Sequence, residues 1–182
     1  VCAIDTTGSL FSFGRGSFSQ LGLGDTADRA SPTRVDGLSS AVVSVACGWR
    51  FTLAVCTGGD VFSWGAGSTG QLGHPSKLRR RVPTKIEALA PDRLNGSHIT
   101  SVSAGEIHSM ALDDAGAVYM WGCNQNGRLG LGEVDSWGKE RTTPTVLSSM
   151  SACAVISAGN RPSACVTRGG VLYTWGCNAD GR

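Results

Sequence analysis

The sequence has little charge and no long hydrophobic run. Of its 182 residues, 16% are charged, and the formal net charge is +2. Such a chain lacks the strong basic field of a dedicated nucleic-acid binder, so its electrostatics indicate no particular partner. Its apolar stretches have the length of β-strands, well below the ~20 residues of a membrane-spanning helix, and no signal peptide opens the chain. No membrane partner is therefore predicted.

Closely spaced cysteine pairs are also missing. No two of the seven cysteines have the Cys-x-x-Cys spacing that is typical of zinc and redox sites. Because disulfides are rare in the cytosol and nucleus, an odd number of unpaired cysteines favours reduced thiols in a cytoplasmic or nuclear protein. Cys123 and Cys177 share a Trp-Gly-Cys-Asn context. That context leaves a redox role open, although repetition explains it better.

No catalytic or cofactor site is recognisable. His74, His98 and His108 lie apart from any carboxylate or cysteine at a metal-ligand spacing, and no nucleophile, base and orienting group can be assembled. Residues 65–70 have the Gly-x-Gly-x-x-Gly pattern, but Gln71-Leu-Gly73 follows where a phosphate-binding helix would begin. The sequence therefore predicts no enzyme, no metal and no cofactor.

Glycine, by contrast, is abundant and periodic, with 26 residues. Four similar segments end in glycine: Gly8-Ser-Leu-Phe-Ser-Phe-Gly14, Gly59-Asp-Val-Phe-Ser-Trp-Gly65, Gly116-Ala-Val-Tyr-Met-Trp-Gly122 and Gly170-Val-Leu-Tyr-Thr-Trp-Gly176. Their final glycines are 51, 57 and 54 residues apart. A Leu-Gly pair lies at a fixed distance after these final glycines, and a small residue followed by glycine lies at a fixed distance before them. The variation in repeat length is therefore confined to the interval from one Leu-Gly pair to the next pair of small residue and glycine. This pattern predicts one supersecondary unit, repeated.

Each unit contains runs of strand length. In the second unit, β-branched and aromatic residues fill 42–46, 52–56 and 61–64, each bounded by glycine turns. A fourth strand is predicted at Pro83–Ile86, and it should be an outer strand because proline cannot donate to a ladder. No segment has a helical period. Four short antiparallel strands, repeated radially, predict an all-β fold of propeller blades, with an open β-solenoid as the alternative.

These repeats resemble the regulator of chromosome condensation repeat family. Its pattern is a small residue and glycine, an apolar strand, Gly-x-Val-Tyr-x-Trp-Gly, and then Gly-Gln-Leu-Gly. The third unit matches it with Ala104-Gly105, His108-Ser-Met-Ala-Leu112, Gly116-Ala-Val-Tyr-Met-Trp-Gly122 and Gly127-Arg-Leu-Gly130. The resemblance covers the whole chain and implies a seven-bladed β-propeller.

The period also predicts how much of a ring is present. At about 54 residues per repeat, 182 residues hold about 3.4 repeats. Residues 1–182 are therefore expected to be a partial propeller, cut within a repeat at both ends, that needs the remaining blades of the same ring for closure. Within it, Trp64, Trp121, Trp175 and Phe13 share one offset and are predicted to pack between blades.

The turn after each small-residue and glycine pair differs between repeats. It carries Trp49 and Arg50 in one repeat, Glu106 in the next, and Asn160 and Arg161 in the last. Equivalent positions should line one face of the ring, and an exposed Trp-Arg pair has the composition of an interaction hot spot. Gly-Trp-Arg is also similar to the repeat motif of the family's plant ultraviolet-B photoreceptor. It occurs only once here, so these blades build no tryptophan cluster.

One basic cluster stands out in this nearly neutral chain, with Lys77, Arg79, Arg80 and Arg81 as its members. Short charge runs are usually solvated surface, so this one is predicted to be a loop before the strand at Pro83. Its alternative role is contact with chromatin or nucleic acid through counterion release.

A rigid propeller carries function on its loops. The sequence therefore predicts a protein-interaction scaffold that binds partners through one face and through the variable segments 90–98 and 133–143. The family resemblance leaves a second function open, guanine-nucleotide exchange on a Ran-type small GTPase, which needs no conventional catalytic residues. The family's exchange factor uses a protruding β-wedge, and segment 90–98 is long enough for a small excursion.

Overall fold

In the computed structural model, which describes residues 1–132 and 139–179, fourteen β-strands form four antiparallel sheets. The strands are β1 (Cys2–Ile4), β2 (Leu10–Gly14), β3 (Arg29–Arg34), β4 (Val42–Cys47), β5 (Phe51–Cys56), β6 (Val61–Gly65), β7 (Arg80–Lys85), β8 (Ile99–Ala104), β9 (His108–Asp113), β10 (Val118–Gly122), β11 (Arg141–Val146), β12 (Cys153–Ala158), β13 (Pro162–Thr167) and β14 (Leu172–Gly176). Short 3-10 turns occupy Glu87–Leu89, Pro91–Arg93 and Gln125–Gly127. None of the helical segments described is long and apolar enough to cross a membrane.

Strands that follow one another along the chain pair within each sheet. The sheets are β1-β2-β3, β4-β5-β6-β7, β8-β9-β10-β11 and β12-β13-β14, which we call blades I to IV. Strand β8 contacts both β4 and β12, so the first strands of blades II to IV lie side by side. Up-and-down sheets whose inner strands meet are propeller blades. The predicted all-β fold is confirmed, with four strands in blades II and III.

The outer strand of each blade starts earlier than the sequence predicted. Strand β7 begins at Arg80 and not at Pro83. Ser63 pairs with Thr84 and Gly65 pairs with Arg80, so two steps along β6 correspond to four along β7, which therefore contains a bulge. Pro83 lies within that bulge, where the ladder requires no N–H donor. Pro32 and Pro144 occupy the same place in β3 and β11. The prediction of a proline-bearing edge strand is therefore confirmed, with a corrected boundary.

Each blade interlocks with the preceding one through an indole. The Nε1–H groups donate to main-chain carbonyls across the blade boundary: Trp64 to Gln20 at 3.0 Å, Trp121 to Gln71 at 2.9 Å and Trp175 to Arg128 at 3.0 Å. Gly73 lies against the ring, since a Cβ there would come within 3.0 Å of Trp121 Nε1. The predicted packing of tryptophans between blades is confirmed, and the close approach explains why glycine follows leucine in each repeat.

One loop residue in blade I breaks the glycine pattern. Ser19 has φ +62° where Gly70 has +77° and Gly127 has +69°. Its side chain is buried, and its Oγ has no hydrogen-bond partner among the described residues. A side chain in the left-handed region costs roughly 1–2 kcal/mol that glycine does not incur.

We therefore expect Ser19→Gly to stabilise the protein by about 1 kcal/mol and to raise its melting temperature by about 2–4 °C. The reciprocal variant Gly70→Ser should lower the melting temperature, because a Cβ at Gly70 would come within 2.9 Å of the Arg141 carbonyl oxygen. Differential scanning calorimetry of both variants checks this. A lower melting temperature for Ser19→Gly would show that the serine is not strained.

Candidate interaction site

The two ends of the blades carry different connections. Residues 48–50, 105–107 and 159–161 join the inner strand to the second strand, and the loops 15–28 and 66–79 lie at the same end because successive strands are antiparallel. We call this end the upper face. The turn 57–60 and the connection 86–98 lie at the other end, the lower face, where His98 Nδ1 is 2.7 Å from the Gly58 carbonyl oxygen.

Three of the five residues predicted to form an interaction face lie around one opening. Trp49, Glu106 and Asn160 surround a shallow depression of about 460 Å³ on the upper face. The main-chain N–H of Glu106 donates to the Asn160 carbonyl at 3.2 Å and ties blade III to blade IV. Arg50 lies apart from this depression, next to Trp49. Arg161 is exposed, and it borders neither the depression nor the grooves beside Arg50.

The guanidinium of Arg50 lies against two aromatic rings. Its guanidinium carbon lies 3.6 Å from the centre of the Trp49 ring and 3.9 Å from the centre of the Phe18 ring. Phe18 belongs to blade I, so the stack crosses a blade boundary. Cation–π contacts of this kind are worth about 0.5–2 kcal/mol each. The stack therefore fixes the side chain of Trp49, which is 58% exposed.

The stack forms one wall of a groove across blades I to III. The groove has a volume of about 420 Å³, and its charged or aromatic lining residues are Phe18, Trp49, Arg50, Lys77, Arg79 and Glu106. The Arg79 guanidinium lies 5.5 Å from the centre of the Phe18 ring. Part of the basic cluster and part of the predicted face, which the sequence analysis treated separately, thus belong to a single site.

The basic cluster does not behave as one solvated loop. Lys77 forms a salt bridge with Glu140, and Arg79 faces the groove. Arg80 and Arg81 belong to strand β7, and the Arg80 Nη2 donates to Ser76 Oγ at 3.0 Å. Of these two arginines, only Arg81 is exposed. The prediction of a loop is therefore wrong for Arg80 and Arg81, because strand β7 continues through the bulge around Pro83 and includes both residues.

The buried pair of Ser63 and His74 resembles a catalytic dyad, but its hydrogen bond has the opposite direction. Ser63 Oγ lies 3.0 Å from His74 Nε2 and itself donates to the Leu72 carbonyl at 2.7 Å. The histidine N–H must then donate to the hydroxyl, so it is no general base for a nucleophile. Burial, followed by the charge of Arg80, lowers the pKa of His74 to about 4. Within residues 1–132 and 139–179, no cluster of three metal-ligating side chains occurs.

The variable segments differ in position. Segment 90–98 lies on the lower face, away from Trp49, and it contains the 3-10 turn Pro91–Arg93 but no β-strand. Leu89 at its start is fully buried in the core of blades II and III, and Leu94 packs against the same cluster. The segment therefore forms no β-wedge. Of segment 133–143, residues 133–138 lie outside the described part of the chain, and 141–143 begin strand β11.

Sequence reasoning missed Phe18. The residue occupies a loop position that carries Thr69 and Asn126 in the other repeats. An aromatic side chain at one of three equivalent loop positions is a signal that an alignment of the repeats contains. Its partner could not be identified from the sequence, because Phe18 and Arg50 belong to different blades.

The repeats that carry the candidate site match the models of one protein family. Models of the regulator of chromosome condensation (RCC1) repeat match residues 7–55, 58–112 and 115–166, and a second model of this repeat matches 42–71 and 99–128. Among solved structures, Prp20p of Saccharomyces cerevisiae, described with its binding properties to Gsp1p and histones, superposes with a TM-score of 0.80 at 25% identity. That alignment covers 98% of this chain and 43% of Prp20p.

Two curated relatives have higher identity. The ultraviolet-B receptor UVR8 of Arabidopsis thaliana is 38% identical over 169 residues, which are 91% of this chain and 36% of the receptor. The secretion-regulating guanine nucleotide exchange factor of Bos taurus is 38% identical over 183 residues, with 96% and 38% coverage. The chain thus spans about two-fifths of the length of these relatives.

Proposed function

Because the chain belongs to the regulator of chromosome condensation repeat family, we propose that it is part of a β-propeller that serves as a protein-interaction scaffold. The partner contacts the upper face through Trp49, Arg50, Glu106 and Asn160, while Arg161 stands at the margin. The observation that supports this most is the exposed indole of Trp49, held in place by Arg50.

Physical reasons favour a partner over solvent at this position. An indole that is 58% exposed leaves apolar area whose burial is worth roughly 2–4 kcal/mol. Interfaces concentrate their binding energy in tryptophan and arginine side chains. The stack also reduces the entropy that the Trp49 side chain loses on binding, because its orientation is fixed beforehand.

We further propose that additional blades complete the ring. Blade IV exposes Val155, Val171, Leu172 and Tyr173, and such neighbouring apolar side chains are covered by the next blade in a closed propeller. The coverage of about two-fifths of each relative agrees with this proposal. The upper face of the intact ring then extends beyond the residues named here.

The scaffold proposal predicts a loss of partners on truncation of one side chain. In the full-length protein, Trp49→Ala should reduce the amount of co-purified partner by about tenfold or more, as expected of a hot spot worth at least about 2 kcal/mol. Quantitative mass spectrometry of affinity-purified protein measures this. The matched control is Val82→Ala, a side chain that is 51% exposed on the outer strand. If both variants retain the same partners, the upper face is not the interaction site.

Guanine-nucleotide exchange on a Ran-type small GTPase is the second candidate. It is favoured by the 38% identity to the bovine exchange factor and by the superposition on Prp20p, whose structure is described with its binding to Gsp1p. The lower-face segment 90–98 supplies no wedge, so the loops of the remaining blades would have to open the nucleotide site. Nucleotide release from the GTPase no faster than its intrinsic rate would remove this candidate and leave the scaffold proposal intact.

A further inference from the structure

We propose that the groove lined by Phe18, Trp49, Arg50, Arg79 and Glu106 binds a short acidic segment of a protein partner, with Arg50 as the carboxylate receptor. This inference rests on the proposed interaction function and adds the chemistry of the bound segment. The upper-face groove is the site, and the ligand is an aspartate or glutamate side chain followed by an apolar one.

The stacking of Arg50 determines which of its atoms can bind. The Trp49 and Phe18 rings lie against the guanidinium plane, with their centres 3.6 and 3.9 Å from the guanidinium carbon. The N–H groups lie in that plane and point outward from its edge, so stacking leaves them available. A planar fork of donors matches a carboxylate in two parallel hydrogen bonds. The rings thus hold the fork in one orientation before the ligand arrives.

The charges around the groove favour an anion. None of the salt bridges between described residues involves Arg50 or Arg79. Lys77 is already paired with Glu140, so Arg50 and Arg79 are the cations left for a ligand. Glu106 also lines the groove. One or two carboxylates therefore fit better than a long acidic run, which Glu106 would repel.

The groove also has an apolar part. Ala66 and Ile107 line it together with Trp49, and its volume of about 420 Å³ lies within the roughly 300–1,000 Å³ of typical ligand sites. An aliphatic or aromatic side chain next to the carboxylate would lie against these residues. The mixed lining distinguishes the groove from a simple anion site.

The same features disfavour nucleic acid. Binding of single strands depends on open aromatic faces on which bases stack, but Arg50 and Arg79 both lie against Phe18. The carboxylates of Glu106 and Glu140 would repel a phosphate backbone. Of the four residues in the basic cluster, Lys77 is paired and Arg80 is turned toward Ser76. Charge and geometry thus favour a protein segment.

The test uses the full-length protein and fluorescence anisotropy. The probe is a short fluorescein-labelled peptide in which aspartate and glutamate alternate with leucine. Its controls are the same peptide with asparagine and glutamine in place of the acids, and labelled oligothymidylate. We expect the acidic peptide to bind more tightly than both. Equal binding of the acidic and amide peptides, or tighter binding of oligothymidylate, would overturn the proposal.

Variants then assign the binding to Arg50. Arg50→Ala should weaken binding of the acidic peptide by about tenfold or more, since a charged hydrogen-bond pair is lost. Arg50→Lys should weaken it by a smaller factor, because the charge remains without the fork. The matched control, Arg34→Ala, removes an exposed arginine that pairs with Asp36 elsewhere on the protein and should change nothing. Unchanged affinity in Arg50→Ala would exclude this arginine as the receptor.

A variant that is expected to bind more tightly keeps the proposal testable even if Arg50→Ala fails to fold. Glu106→Gln removes the carboxylate that lines the groove without changing the size of the side chain, so we expect the acidic peptide to bind several-fold more tightly, by removal of a like charge. Unchanged or weaker binding would contradict the charge arrangement proposed here. If Trp49→Ala loses the cellular partners while the acidic peptide fails to bind, the scaffold function stands and the acidic ligand is wrong. If both results are negative, both proposals fall.

Discussion

Trp121→Ala should lower the free energy of unfolding by about 3–5 kcal/mol, the range for truncation of a buried large aromatic side chain. Trp121 is 0% exposed and spans the boundary between blades II and III. Its loss creates a cavity and leaves the Gln71 carbonyl with the hydroxyl of Ser109, which donates to it at 2.7 Å. Urea unfolding followed by circular dichroism measures the change.

Two further variants divide this effect into its parts. Trp121→Phe, which introduces the residue type found at Phe13, retains much of the packing and removes the indole N–H. We expect a loss smaller than that of alanine, with about 1 kcal/mol of it from the hydrogen bond. Trp49→Ala truncates the same residue type on the surface, where one cation–π contact is lost, and should lower stability by only about 0.5–1 kcal/mol. Equal destabilisation by Trp121→Ala and Trp49→Ala would show that the blades are not held together by the buried indole.

Acid should weaken the fold because His108 must remain neutral in it. The ring is fully buried, and its Nε2 lies 2.9 Å from Ser163 Oγ, which donates to the Arg128 carbonyl at 2.8 Å. Nε2–H is therefore the donor, and Nδ1 has no partner among the described residues. Burial, followed by the positive charge of Arg128, lowers the pKa of His108 to about 3.

The direction of the pH effect follows from this lowered pKa. The unfolded chain takes up a proton on His108 below the ordinary value of about 6.5, whereas the folded protein does so only near pH 3. The contribution of neutral His108 to stability is thus complete above about pH 6.5 and decreases as the pH falls. Between about pH 7 and pH 5, roughly 2 kcal/mol should be lost to this residue.

The variant that checks this is His108→Phe, because Phe51 occupies the equivalent position in blade II, where it packs against Gly48 as His108 packs against Gly105. Urea unfolding at the two pH values should show a decrease about 2 kcal/mol smaller in the variant. His74 contributes equally to both proteins and cancels in the comparison. An identical decrease in wild type and His108→Phe would place the acid sensitivity elsewhere.

The features that the sequence predicted are those that repeat along the chain. Strands, turns and the buried indoles recur at fixed offsets, so each repeat supports the interpretation of the others. Trp64 and Trp121 could be placed between blades because an apolar residue at one offset in every unit must meet the same neighbour. The early start of β7 could not be predicted, because a bulge depends on pairing with β6 and not on the local pattern around Pro83.

The candidate site is predictable only in part, since it depends on residues that do not repeat. Trp49 and Glu106 were identified as neighbours because they hold equivalent positions in adjacent blades. Phe18 and Arg79 come from other loops, and only the assembled blades bring them to Arg50. Segment 90–98 was expected to carry function because it varies in length. In the structure it lies on the lower face next to the buried Leu89, apart from the upper-face site.

Site-specific photo-crosslinking in cells tests most directly whether the upper face is the interaction site. A benzophenone amino acid is introduced into the full-length protein at residue 49, at residue 82 on the outer strand or at residue 95 on the lower face, positions whose natural side chains are all exposed. We expect a protein adduct from residue 49 and none from residues 82 and 95. Adducts from residue 95 with none from residue 49 would contradict the assignment and move the interaction site to the lower face.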